Sequence, residues 1–213
     1  MSRVLSGVTN ETFKSMQLGV GIIIKNFAYS AIATPTEFKA ALEAAISGGQ
    51  GLGATLGGIN INVVPEMRQR QFDGATVRFK NDSVIDSWTS TISTTLKEFS
   101  PQVLQVAFPT AEFTEIGQAE DMLAMRIRTS LEDTDYAENY TWVGTTDFGY
   151  LMISMFNALA ATSGDITAAD KAEGGIPVTI TGHAEGFDDA EFAPCEIWFI
   201  NDKGGIVKNP LDE

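Results

Sequence analysis

The longest regular pattern in the chain is "SVIDSWTSTISTTL", residues 83–96, where two sets of positions alternate for fourteen residues without a break. A period of two predicts a strand. At about 3.3 Å per residue it would run roughly 46 Å, far beyond the usual five or six residues. One face carries Val84, Trp88, Ile92 and Leu96, interspersed with Asp86, Ser90 and Thr94. The other carries Ile85 and then a row of hydroxyls, Ser87, Thr89, Thr91, Ser93 and Thr95. The first face can rest on a core. The second is uncharged and wet, as on any half-buried sheet.

Shorter runs read the same way. "GVGIIIKNF", "GGININVV", "MLAMRIRTSL", "NYTWVGTT", "IPVTITGHAEGF" and "PCEIWFIND" are strands bounded by turn residues, and "YLMISMFNAL", apolar on both faces, is central. Asp73-Gly74 and Asn81-Asp82 mark turns around a short strand at about 76–80, inside a basic loop at 65–80. Residues 109–121 read as a loop and 161–175 as an acidic Gly/Ala-rich link. Two helices interrupt the strands. Thr34 caps the first, with Pro35 and Glu37 in the first turn and Phe38, Ala41, Leu42, Ala45 and Ile46 at helical spacing. Ser100 and Pro101 start the second, through about Phe108. This predicts a mainly β single domain over 1–213: a β-sandwich or partial barrel with one or two flanking helices.

"SGGQGLGATLGG", residues 47–58, raises the question of a phosphate site. Gly51 and Gly53 fit the start of a dinucleotide fingerprint, but Leu56 stands where its third glycine belongs, and no Gly-Lys-Ser/Thr follows. The glycines also follow a helix rather than open one, so residues 48–58 are expected to form a flexible loop.

Charge sharpens the picture. The net charge is −14, which disfavours nucleic acid and anionic lipid as partners. Residues 1–110 hold nine Lys/Arg against eight Asp/Glu, while residues 111–213 hold five against twenty. That is either a solvated acidic face or a molecule with unlike faces that stack head to tail. No run of eighteen apolar residues is present, the first residues lack the apolar stretch of a secretory signal, and there is one cysteine, Cys195. A reducing cytoplasm is the expected site of synthesis. Reactive chemistry is sparse: one histidine, His183, rules out a multi-His zinc site. Asp133 and Asp135 begin like a calcium loop without its later positions. No enzyme activity, metal or cofactor is expected.

The order of the pieces carries a resemblance. "VVPEMRQRQFDGA", then a long Thr/Ser strand running into a short helix, then "MISMFNALAA" and "GGIPVTITGHAEGFDDAEFAPCEIWFI" resemble the major tail tube proteins of long-tailed bacteriophages, over about residues 16–202. The resemblance implies hexameric rings that stack into a hollow virion tail tube around a tape measure protein. Tail terminator and distal tail proteins would sit at its ends, DNA would pass without specific binding, and nothing would enter a membrane. Ser87, Thr89, Thr91, Ser93 and Thr95 would then line the lumen. Arg68, Arg70, Arg78 and Lys80 would meet acidic residues of a neighbouring subunit, Glu132, Asp133 and Asp135 or Asp188, Asp189 and Glu191. The glycine loop would order on assembly. A monomeric β-sandwich module that binds a carbohydrate or surface ligand is the alternative.

Overall fold

The computed structural model describes residues 21–70, 73, 77–116, 122–162, 166–169, 172–186 and 191–202. In chain order these form β1 (Ile22–Lys25), α1 (Pro35–Ser47), β2 (Thr55–Gln69), β3 (Ser83–Leu96), α2 (Pro101–Ala107), β4 (Ala111–Glu115) and β5 (Leu123–Ile127). A 3-10 turn at Asp133–Asp135 precedes β6 (Ala137–Thr145), β7 (Gly149–Thr162), β8 (Thr167–Ala169), β9 (Ala172–Thr181) and β10 (Cys195–Asn201). The chain is mainly β, a sandwich or partial barrel, with two helices among the described residues.

β7 belongs to two sheets. One of its edges pairs with β6 from Tyr150 to Ala158. The other pairs with β10 over residues 149–155 and then with β9 over 159–162. Asn157, with φ 42°, sits at the changeover. The result is a first sheet β1–β6–β7–β10 and a second sheet β2–β3–β9–β7, all antiparallel. Ile23, Tyr140, Trp142, Ile153 and Met155 of the first sheet cluster with Ile92, Leu96, Ile176, Val178 and Ile180 of the second, joined by Val103, Val106 and Ala107 of α2. The far face of the first sheet, with Ile24, Val143, Met152 and Ile200, is closed by Phe27, Tyr29 and the buried stripe Phe38, Leu42 and Ala45 of α1. The far face of the second sheet carries no layer among the described residues.

α1 starts where its cap predicts. The Glu37 amide donates to Thr34 Oγ1 at 3.2 Å, and Glu37 Oε2 accepts from the Thr34 amide at 3.2 Å, so two otherwise unpaired amides are satisfied.

Several expectations are corrected. The glycine stretch is not a free loop. Leu52 within it is buried in the core, its amide donates to Ile23 O, and the Lys25 amide donates to Gln50 O. Residues 55–58 already belong to β2. There the register steps from Leu56↔Thr95 to Asn60↔Ser93, so three residues of β2 face one of β3. Gly58 takes φ 81° in this bulge, and its carbonyl accepts from Thr94 Oγ1 at 3.1 Å. The basic loop begins later than expected, because residues 65–69 complete β2, and residues 77–80 form no strand. Residues 111–115, expected in a loop, are β4, which pairs with β5 as a separate hairpin. The acidic link contains β8 and the first residues of β9. His183 lies just beyond β9 rather than on a strand.

Candidate functional site

The bare face of the second sheet carries the hydroxyl row. Thr91, Ser93 and Thr95 lie opposite Asn62, Asn60 and Leu56 of β2 on one side and Thr181, Thr179 and Pro177 of β9 on the other. Ser93 and Thr179 hydroxyls bond across the strands at 3.1 Å. Asn60, Asn62, Thr179 and Ala161 are exposed. Over the body of the sheet this face is therefore amide, hydroxyl and methyl, without a charge. Ser87 and Thr89 continue the row outward, where the Ser87 hydroxyl donates to Glu66 Oε2 at 3.0 Å. Leu56, Asn60, Ser93, Thr95, Pro177 and Thr179 border a shallow hollow of about 460 Å³ on this face.

β3 outruns its neighbour. It pairs with β9 only from Thr91 to Leu96, so residues 83–89 pair with β2 alone and form a two-stranded arm. The register of the arm holds a second irregularity. Pro65 faces Trp88, Glu66 faces Ser87 and Met67 faces Ile85, which leaves Asp86 without an opposite residue. One extra residue reverses the alternation beyond it. Ile85 and Met67 thus join Trp88 on the core-side face, not the hydroxyl face that strict alternation assigned to Ile85. These three side chains are 49%, 60% and 43% exposed. The apolar face of the core continues along the arm with nothing over it.

The charged residues singled out in the sequence divide into two groups. Arg68 is held on the arm by Asp86, Nε to Oδ2 at 3.0 Å, and this bond raises its pKa. Glu132 and Asp135 are held within the chain by Arg128, at 2.8 and 2.5 Å. Arg128 is the centre of this cluster, with Glu112 Oε1 2.9 Å from Nε but off the N–H direction. The Asp135 side chain is only 5% exposed. Arg70, Arg78, Lys80, Asp133 and Glu191 are exposed. Asp188 and Asp189 lie outside the described residues. The structure thus brings Glu132 and Asp135 together with Arg128, and among the described residues no ion pair joins a basic residue of the arm to an acidic segment elsewhere in the chain.

Two features escaped the sequence reading. The Arg128 cluster borders a polar cleft of about 680 Å³ that also contains Lys25, Gln105, Thr114 and Tyr140. Burial lowers the Lys25 pKa and raises that of Tyr140. Neither residue carries a pattern that could have announced this, because the cleft is assembled from β1, α2, β4 and β6. Among the described residues, no group of three or more His, Cys, Asp or Glu is placed to hold a metal ion. His183 Nδ1 lies 3.2 Å from Asn157 O and its ring stands edge-on to Tyr136, while Cys195 rests against the core. No described helix is long and apolar enough to cross a membrane.

Among the described residues each sheet has an open edge: β2 is last in the order of the second, and in the first β10 pairs with β7 alone. Pro65, which has no amide hydrogen to donate, is tolerated in β2 because that strand is an edge. The class defined here is a two-sheet β protein with one bare neutral face, an unpaired long edge and a projecting arm. No protein-family model and no curated protein matches the chain.

Proposed function

We propose that this chain is a structural virion protein of the major tail tube type, a subunit that polymerises as stacked hexameric rings. The observation that carries the reading is the second sheet: over its body the outer face is bare amide, hydroxyl and methyl, and among the described residues its longest strand ends the sheet with an open edge. A free edge of that length is a template for further pairing, and closure into a barrel removes it. Pro65 confines such pairing to the part of β2 before the arm, residues 55–64. In a closed ring, alternate side chains face the wall and the lumen. Asn60, Asn62, Thr91, Ser93, Thr95, Thr179 and Thr181 would then line the channel.

A neutral, hydroxyl-lined wall suits a conduit. Basic walls would bind DNA by releasing its counterions, at a slope of about one salt unit per phosphate neutralised. The Asn, Ser and Thr side chains over the body of this face offer no cation for that exchange, so DNA would slide, and a tape measure protein would fill the lumen beforehand. Tail terminator and distal tail proteins would close the ends. Arg70, Arg78 and Lys80 would meet exposed carboxylates such as Asp133 and Glu191 of a neighbour.

Negative-stain microscopy of the purified, concentrated chain tests this directly. Rings and hollow rods of uniform bore are expected. A single monomeric species in sedimentation at every concentration, with uniform small particles on the grid, would overturn the proposal and favour a β-sandwich binding module.

A further inference from the structure

The structure leaves a second apolar strip uncovered, on β10. Alternation along this strand sends Glu196, Trp198 and Ile200 toward α1. There Trp198 stands edge-on to Tyr29 and Ile200 is buried, and Glu196 accepts from the Tyr29 hydroxyl. Cys195, Ile197 and Phe199 point the other way, opposite Met155, Ile153 and Leu151. Met155 and Ile153 are core residues, yet Ile197 and Phe199 are 47% and 64% exposed. The reason is topological: β9 ends at Thr181 and β10 takes its place beside β7, so the second sheet does not reach over β10. Phe192, just before the strand, is 77% exposed.

We infer that the β10 strip of one copy receives the core-side face of the β2–β3 arm of the next copy, Trp88, Ile85 and Met67. This rests on the self-assembly proposed above and names its contact. Three observations select a second copy as the occupant. Each surface is apolar and exposed, with no cover among the described residues. Their surroundings differ in charge: the connection 70–82 at the arm tip holds Arg70, Arg78 and Lys80 against Asp73 and Asp82, while the described residues of the connection leading into β10 include Glu185 and Glu191 and no Lys or Arg. The two surfaces also differ, so the contact is heterologous and propagates without closing on a dimer. The charges would set register and partner choice, and the apolar strips would hold the contact. Side-chain packing, not strand addition, is the mode on the arm, because Pro65 interrupts its free edge.

The single cysteine gives the test. Cys195 lies on the same face as Ile197 and Phe199, and a disulfide forms only where two Cα atoms come within about 7 Å. The variant Ile85→Cys, concentrated and mildly oxidised, should give a covalent ladder on a non-reducing gel. Peptide mapping should join Cys195 to the introduced thiol at position 85. Bonds only between like positions, a bond within one chain, or no bond at all would each overturn the contact. Ile197→Ser with Phe199→Ser provides the second arm: a chain with wild-type circular dichroism whose assembly threshold rises at least tenfold, against an unchanged threshold if the strip is idle. The two proposals fail separately. Rods that form without the mixed bond remove this contact and keep the tube; a concentration-dependent mixed bond without rods keeps the contact and removes the tube.

Discussion

At the scale of single residues, Arg128 shows what a charge count cannot. Arg128, Glu132 and Asp135 stand four and three residues apart, and the spacing is visible in the sequence, but the same carboxylates could have faced solvent or a partner. Only the turn after β5 and the hairpin carrying Glu112 bring them round one guanidinium. Arg128→Met would leave the largely buried Asp135 carboxylate without its counter-ion, at a cost of about 3 kcal/mol. A urea midpoint equal to wild type would show the cluster to be ornamental. The tyrosines give a pH signature. Tyr29 is pushed up to about 12, first by desolvation, with a hydrogen bond to Ser154 opposing it and the charge and hydrogen bond of Glu196 adding to it. Burial raises Tyr140 as well. Both are neutral when folded and ionise near pH 10 when unfolded, so their contribution to stability is intact below pH 10 and is lost as pH rises through the folded values. An alkaline absorbance titration, with Tyr29→Phe and Tyr140→Phe to assign the signals, should therefore find these two tyrosines ionising late, with stability falling above pH 10. Ionisation of both near pH 10 in the folded protein would contradict it.

At the scale of elements, legibility followed how much of each element's reason is local. α1 was readable to the residue because its cap, proline and apolar spacing are all in adjacent sequence. β3 was readable because fourteen residues of alternation leave little else to be. β4 was not: "AEFTE" is short and polar, and its strand state comes from pairing with β5, a hairpin outside both main sheets. The two bulges were invisible for a related reason. Whether a residue is extra depends on the opposite strand, and the slip at Asp86 moved Ile85 to the other face. Gly49, Gly53 and Gly58 of the glycine stretch all take positive φ, and Gly58 is the one at a bulge. A Cβ there would meet nothing within 4 Å, so the φ of 81° alone opposes substitution. Gly58→Val should cost on the order of 1–3 kcal/mol through strain at that angle. The comparison is Gly58→Asn, which tolerates the left-handed region and should recover much of the loss. Equal stability of the Val and Asn substitutions would place the irregularity elsewhere.

At the scale of the whole molecule, the charge asymmetry and the exposed apolar strips are the features on which the proposed assembly rests. The sequence made the asymmetry plain, but it could not show which cations are committed within the chain. Arg68 is committed, since Asp86 holds it, and reversing it would damage the arm itself. Arg70 and Lys80 are exposed, and no ion pair of theirs is seen among the described residues. Arg70→Glu with Lys80→Glu should thus leave folding within about 0.5 kcal/mol, as for ordinary surface changes. Its effect belongs to association. At about 10 mM salt the Debye length is about 30 Å, and the reversed arm tip should be repelled by an acidic neighbour, slowing assembly at least tenfold. At about 1 M salt the length is near 3 Å, and the apolar strips, which salt does not weaken, should bring the variant back toward wild type. Light-scattering time courses across that range read the result. A deficit that persists in high salt would mean the substitutions disturb packing rather than charge, and equal rates in low salt would take the arm tip out of the interface.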